Sequence, residues 1–301
     1  MNNKRRLFST VLCVAALTAG LFVSGCGSDK AGGIGSVVSS VVDGGDEKAA
    51  AKLNTLIDAT NRFNSDNVSF AQFQAEGLAK LKGGFAEGAI ANQPHFDRLQ
   101  ADLEKAKKEG STFKEVDAER DNVLNILNEL VPVYKDLTAY DDSKAYMNDG
   151  GAKGKDLAAK YVAAVEKFDA AYAKFNETLN KVNAEQSKKQ IEKLKKDGKK
   201  GYAAAMESTL RLTTLVDNLE KAPQKADKAA VEKELSEIEA LLKSINNDRG
   251  QVLADRYNSV VGDVRQVLAD PSDNNLNNMI EGFNGYIDTY NSTTPDQFDA
   301  K

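Results

Sequence analysis

The chain of 301 residues has no Trp, a single His, two Cys and five Pro. So few His and Cys cannot build a structural zinc site, an iron–sulfur cluster or a disulfide framework. Low Gly and Pro outside one short tract excludes a collagen-like or mostly disordered chain. Lys and Arg number 40 against 45 Asp and Glu, giving a formal net charge of −5. A nucleic-acid binder needs clustered basic excess, so none is expected as a partner. Strand-like alternation of useful length is missing, which argues against an α/β solute receptor. No Gly-rich phosphate loop, GxSxG elbow or HExxH motif occurs. What is present is 41% hydrophobic residues, enough for a sizeable core.

The N-terminus carries the most specific signal. Lys4, Arg5 and Arg6 precede an apolar run from Leu7 to Val23, and then come Ser24, Gly25 and Cys26. A charged start, an apolar stretch and small residues make a secretory signal. Val23-Ser24-Gly25-Cys26 resembles the lipobox of bacterial lipoproteins. The resemblance implies cleavage between Gly25 and Cys26, a diacylglycerol on the Cys26 thiol and acylation of its freed amine. Cys13 would leave with the signal, so the mature chain would hold no free thiol. Two or three acyl chains on one residue make attachment effectively permanent, whereas one is marginal. Loss of Lys4, Arg5 and Arg6 takes the formal charge from −5 to −8, so an anionic lipid surface would repel the mature domain weakly. Gly27 and Ser28, rather than Asp, follow the Cys. By likeness to enterobacterial sorting, this favours the periplasmic face of the outer membrane in a Gram-negative cell; in a Gram-positive cell the same signal would mean the outer face of the only membrane. Residues 26–46, rich in Gly and Ser, read as a tether reaching about 25 Å.

From about residue 47 apolar residues recur every three or four positions. Tyr161, Val165, Phe168, Tyr172, Phe175, Leu179 and Val182 form one helical stripe. Others are Val231–Ile245, Leu253–Val267, Leu276–Tyr290, and Val116 through Val123, Leu127, Leu130 and Tyr134, interrupted by Arg120. These are seams of helices packed at shallow angles. The expected fold is all-α, an elongated antiparallel bundle of about eight helices forming one domain over 47–301. The helices expected span 47–64, 69–82, 95–109, 113–139, 154–197, 202–220, 227–246, 250–269 and 272–291. Thr112 with Glu115, and Ser69 with Gln72, read as capping boxes. Pro94 suits a first helical turn, and Gly110 a left-handed helix end. Pro132 predicts a kink or break. The longest helix is expected to break near Glu185, where its stripe fails.

Candidate polar residues are few. Asn54, Asp58 and Asn61 recur as Asn284, Asp288 and Asn291 in a shared pattern, Asn-x-[Leu/Tyr]-Ile-Asp-x-x-Asn. Each triplet lies on one side of a helix, so the two copies could frame a polar groove or simply serve two amphipathic helices. His95 lacks a partner for acid–base work. The loop Asp141–Ala152 clusters oxygens but has Tyr146 where a calcium loop needs Gly, and Ala152 in place of its final Glu. Residues 188–200 hold seven Lys, read as a solvated face near a helix C-terminus. No catalytic residue, cofactor or metal is expected.

Several short patterns together resemble the YiiG-like family of bacterial lipoproteins. They are Lys52-Leu53-Asn54 through Asn61, Leu130-Val131-Pro132-Val133-Tyr134, Tyr140, Tyr146, Asn148-Asp149, Lys153-Gly154-Lys155, Tyr257-Asn258, and Phe283-Asn284 to Tyr290-Asn291. The resemblance implies a helical, lipid-anchored envelope protein. A His typical of that family near position 158 is replaced here by Ala158 and Ala159, which argues against a shared metal or acid–base site. The expectation is therefore a non-enzymatic protein of the bacterial envelope, with a structural or binding role toward an envelope protein or cell-wall glycan. The alternatives are a glycan or peptide hydrolase using clustered carboxylates, and a small-ligand receptor between helices.

Overall fold

The computed structural model describes residues 46–65, 73–90, 93–110 and 113–300. The signal segment, Cys26, the tether and the Ser69–Gln72 cap lie outside them. Among the described residues the chain is helical with no strand, as the periodicity requires. The helices are α1 (Asp46–Ser65), α2 (Ala79–Leu81, preceded by a π-helical turn Gln74–Leu78), α3 (Phe96–Lys108), α4 (Lys114–Asp142), α5 (Tyr146–Asp149), α6 (Ala152–Lys196), α7 (Lys200–Lys221), α8 (Lys228–Lys243), α9 (Asp248–Ala269), α10 (Asp273–Asn291) and α11 (Pro295–Phe298). They form two compact units, residues 48–182 and 183–301, and the division falls inside α6.

In the first unit, cross-helix pairs fix an up-and-down order. Arg62 on α1 meets Asp102 on α3 at 3.0 Å, and Thr55 donates to Glu109 at 3.4 Å. Lys107 on α3 reaches Asp121 on α4 at 3.2 Å, while Gln100 donates to Asn128 at 2.6 Å. Lys174 on α6 meets Glu119 on α4, and Tyr134 packs on Tyr161. In each case residue numbers rise on one helix as they fall on the other, so α1, α3, α4 and α6 alternate in direction. Their centre is aromatic: Phe63 and Phe168 touch each other, and each touches both Phe96 and Tyr172. Edge and offset ring pairs add about 0.5–1.5 kcal/mol each beyond burial.

The second unit repeats the arrangement with α7, α8, α9 and α10. Arg211 on α7 grips Glu234 on α8 through two 2.7 Å bonds. Arg265 on α9 grips Glu232 on α8. Tyr286 on α10 shares its hydroxyl with Ser208 and Thr209 on α7, each at 3.1 Å. Asp227, Asn247 and Ser272 cap α8, α9 and α10 by accepting from backbone N–H groups, which satisfies donors the helix cannot. The stripes at 231–245, 253–267 and 276–290 are its core.

Four local expectations change. Helix α6 runs through Glu185 unbroken. Its buried face continues through Asn183, Ser187, Ile191 and Leu194, so the stripe fails in polarity but not in period. Of the kink or break expected at Pro132, the break does not occur: α4 continues past it. Phe113, in an extended conformation, is the N-cap of α4, so the box expected at Thr112 starts a residue early; Thr112 itself lies outside the described residues. Pro94 precedes the His95 N-cap instead of entering the first turn. Arg120 interrupts its stripe because it is buried among acids: its guanidinium meets Asp117 at 2.7 Å and Asp121 at 3.0 Å.

Candidate functional site

Three places merit attention. The first joins α4 to α6 where the resembling residues cluster. Tyr140 OH donates to Asp149 Oδ1 at 2.6 Å. Asp149 also accepts from the N–H groups of Gly151 and Lys153 at the start of α6. These bonds hold the Asp149 carboxyl below its usual range, with the Tyr140 bond the largest cause. Asp141 accepts from the Gly88 N–H. The acids of this loop thus serve backbone donors and Tyr140. Gly154 fits because a Cβ there would meet the Tyr140 ring at 2.5 Å and Phe85 at 2.7 Å. The loop is a joint between helices.

The second is a groove of about 500 Å³ between α7 and α8, floored by Leu215, Leu219 and Val231. Its charges other than Lys225 are spent on structure. Arg211 is held by Glu234 and Glu237, and Asp227 caps α8.

The third is a polar seam between α1 and α6. Phe63 on α1 packs on Phe168 and Tyr172 of α6, and Tyr172 OH donates to Asn64 Oδ1 at 3.1 Å. On α1, Thr55 and Arg62 face α3. Asn54, Asn61 and Asn64 lie on the other side of that helix, toward α6. On α6, Asn176 and Asn180 follow Tyr172 at four-residue steps and continue its face. Because the helices are antiparallel and rise about 1.5 Å per residue, Asp58 lies roughly level with residue 178, between Asn176 and Asn180. Asn176 is only 5% exposed. Both its amide atoms, the Asn54 and Asn180 Oδ1 atoms and Asn64 Nδ2 are buried without hydrogen-bond partners. Half-buried Asp58 has its pKa raised to about 6 by desolvation, opposed by Arg62.

Of the residues singled out from sequence, Asn54 and Asn61 are placed on this side of α1, while Asp58 stands three and four residues from Thr55 and Arg62, at the border of the side that faces α3. Asn284, Asp288 and Asn291 belong to α10 in the other unit, Asn284 half-buried and the other two exposed. Sequence reading missed Asn176 and Asn180. Their four-residue spacing beside the Tyr172–Leu179 stripe was the available signal. His95 is exposed at the start of α3. Most of the Lys188–Lys200 run is exposed, with Lys195 bound to Glu192 and Glu207. No three His, Cys, Asp or Glu side chains gather as a metal set among the described residues.

The fold and this seam define an all-α protein of antiparallel four-helix sets. Residues 47–270 match the model of DUF3829, a family of proteins of unknown function, and the chain belongs to that family. No curated protein and no solved structure matches it. Helix α10 lies beyond the match, yet Phe283, Tyr286 and Tyr290 complete the core of the second unit.

Proposed function

We propose that this is a lipid-anchored protein of the bacterial cell envelope, a YiiG-like lipoprotein with a binding or structural role and no catalytic one. The observation that carries the reading is the N-terminal order of basic residues, a 17-residue apolar run and Val23-Ser24-Gly25-Cys26. The Gly/Ser tether supports it by giving a helical body room to project from a bilayer. No described helix is long and apolar enough to cross a membrane, so membrane association in this reading rests on the acyl chains. Gly27 and Ser28 after the Cys favour the outer membrane, and the body would meet an envelope protein or cell-wall glycan.

The test is metabolic labelling with an alkyne fatty acid, followed by membrane flotation. The parent chain should carry label and float with outer-membrane markers. Cys26→Ser should lose both label and flotation. Flotation of an unlabelled Cys26→Ser protein would refute the anchor.

A further inference from the structure

We propose that the lysine face at the end of α6 and the start of α7, in the second unit, is a docking surface for an anionic phospholipid membrane. Residues 188–200 carry seven Lys against Glu192 and Asp197, a local charge of +5 in a mature chain of −8. Lys188, Lys189, Lys193, Lys196 and Lys200 are exposed, and among the described residues none of them makes an ion pair. Lys195 is answered by Glu192 and Glu207, and Lys199 by Asp296. On other helices Lys160, Lys221 and Lys243 each sit on an acid four residues away.

Helix stability does not account for the pattern. Lys189, Lys193 and Lys196 follow at steps of four and three, so they line one face of α6 and repel one another. The helix dipole favours cations within the last turn. It explains Lys193, Lys195 and Lys196, but not Lys188 and Lys189, which lie about two turns before the helix end. A row of like charges without acids is relieved when a negative surface covers it.

Net and local charge act in opposite directions on an anionic membrane, and screening decides between them. At physiological ionic strength the Debye length is about 8 Å, and the stripe from Lys189 to Lys196 is about 10 Å long. A membrane against this face meets the five unpaired lysines, while most of the −13 carried by the rest of the mature chain is screened. The segment has no Arg and no aromatic side chain. It lacks the planar fork that grips a single phosphate and the rings that stack bases, so it reads charge density, as a plane of lipid headgroups presents it. The proposal goes beyond the acyl anchor and does not depend on it.

The experiment is cosedimentation of the chain from residue 26 carrying Cys26→Ser, which keeps every described helix and has no acyl group. It is mixed with vesicles of equal parts phosphatidylglycerol and phosphatidylcholine, or of phosphatidylcholine alone. At about 0.1 M salt it should bind the first and not the second, and about 1 M salt should release it. Each Lys at the surface contributes about fivefold, so the triple variant Lys189→Gln, Lys193→Gln, Lys196→Gln should bind about 100-fold more weakly. The triple variant Lys160→Gln, Lys221→Gln, Lys243→Gln removes the same charge elsewhere and should change binding by less than about threefold. All six side chains are exposed, and urea melts check that both variants fold. Equal binding to the two vesicles, equal loss in the two triple variants, or tighter binding to soluble polyphosphate than to the anionic vesicles at equal phosphate overturns the proposal.

Discussion

The Gly201 N–H donates to Asp299 Oδ1 at 2.7 Å, tying the first turn of α7 to a residue 98 positions later. A Cβ on Gly201 would collide with the Phe298 carbonyl, so the tail can lie here only against glycine. The same tail is held from α9, where Asn247 Nδ2 donates to the carbonyls of Gln297, Phe298 and Ala300. Phe298 then stacks between Tyr202 and Tyr290. Phe298→Ala is expected to cost about 3–5 kcal/mol, read as a lower urea midpoint. Gly201→Ala should cost about 1–3 kcal/mol by the same measurement.

Asp58 makes stability fall as pH rises. Its folded pKa, about 6, lies above the ordinary 3.8, so between those values the folded chain holds more protons than the unfolded one. The contribution is complete below pH 3.8 and is lost as pH climbs through 6. With allowance for partial exposure it amounts to about 1–2 kcal/mol. Asp58→Asn should remove this slope and raise neutral-pH stability by a similar amount. Urea melts at pH 4 and pH 7, corrected for the Asn background, check it.

Asp149 has the opposite sign. Its carboxyl is held below the usual value, so its contribution is present above the unfolded pKa and disappears as pH falls through the lower folded pKa. Asp149→Ala removes the cap of α6 and the partner of Tyr140. The expected result at pH 7 is a lower urea midpoint than the parent, with faster hydrogen exchange in the first turns of α6. Asp149→Asn, which can still accept from those N–H groups, should lose less.

Arg120 tests the value of a buried ion pair. Its side chain is 5% exposed, Asp117 15% and Asp121 40%. Removing the more buried acid leaves a cation in the core, so Asp117→Ala should cost about 3 kcal/mol. Asp121→Ala should cost less than about 1 kcal/mol, because water already screens that carboxylate. A double-mutant cycle with Arg120→Leu isolates the coupling.

Much of the architecture is readable from residue order. The stripe Tyr161–Val182 is buried along its whole length, because a period of three and four residues marks which side of a helix must leave water. The break expected near Glu185 failed for a related reason. Asn183 and Ser187 keep the period while lacking the hydrophobicity, and Ser187 bonds the Asn183 carbonyl within the helix. Buried polar residues look like surface until their surroundings are known.

The seam was half legible. Asn54, Asp58 and Asn61 could be seen to share a helix side. Their likeness to Asn284, Asp288 and Asn291 drew attention to a distant copy, while the facing residues, Asn176 and Asn180, lie on α6. Sequence spacing is local and names the residues on one helix face. It carries no information about which other face arrives opposite.

The sequence alone determined that the described chain is helical, which faces are buried and where most helices stop, since these follow from periodicity, caps and proline within a few residues. Tertiary structure alone decided that the helices divide into two antiparallel sets of four, that Arg120 is buried against Asp117, and that asparagines of α1 confront those of α6. The grouping of helices and the meeting of α1 with α6 depend on register between segments distant in sequence, which is set by the fit of whole surfaces, and the burial of Arg120 depends on what packs over its own helix.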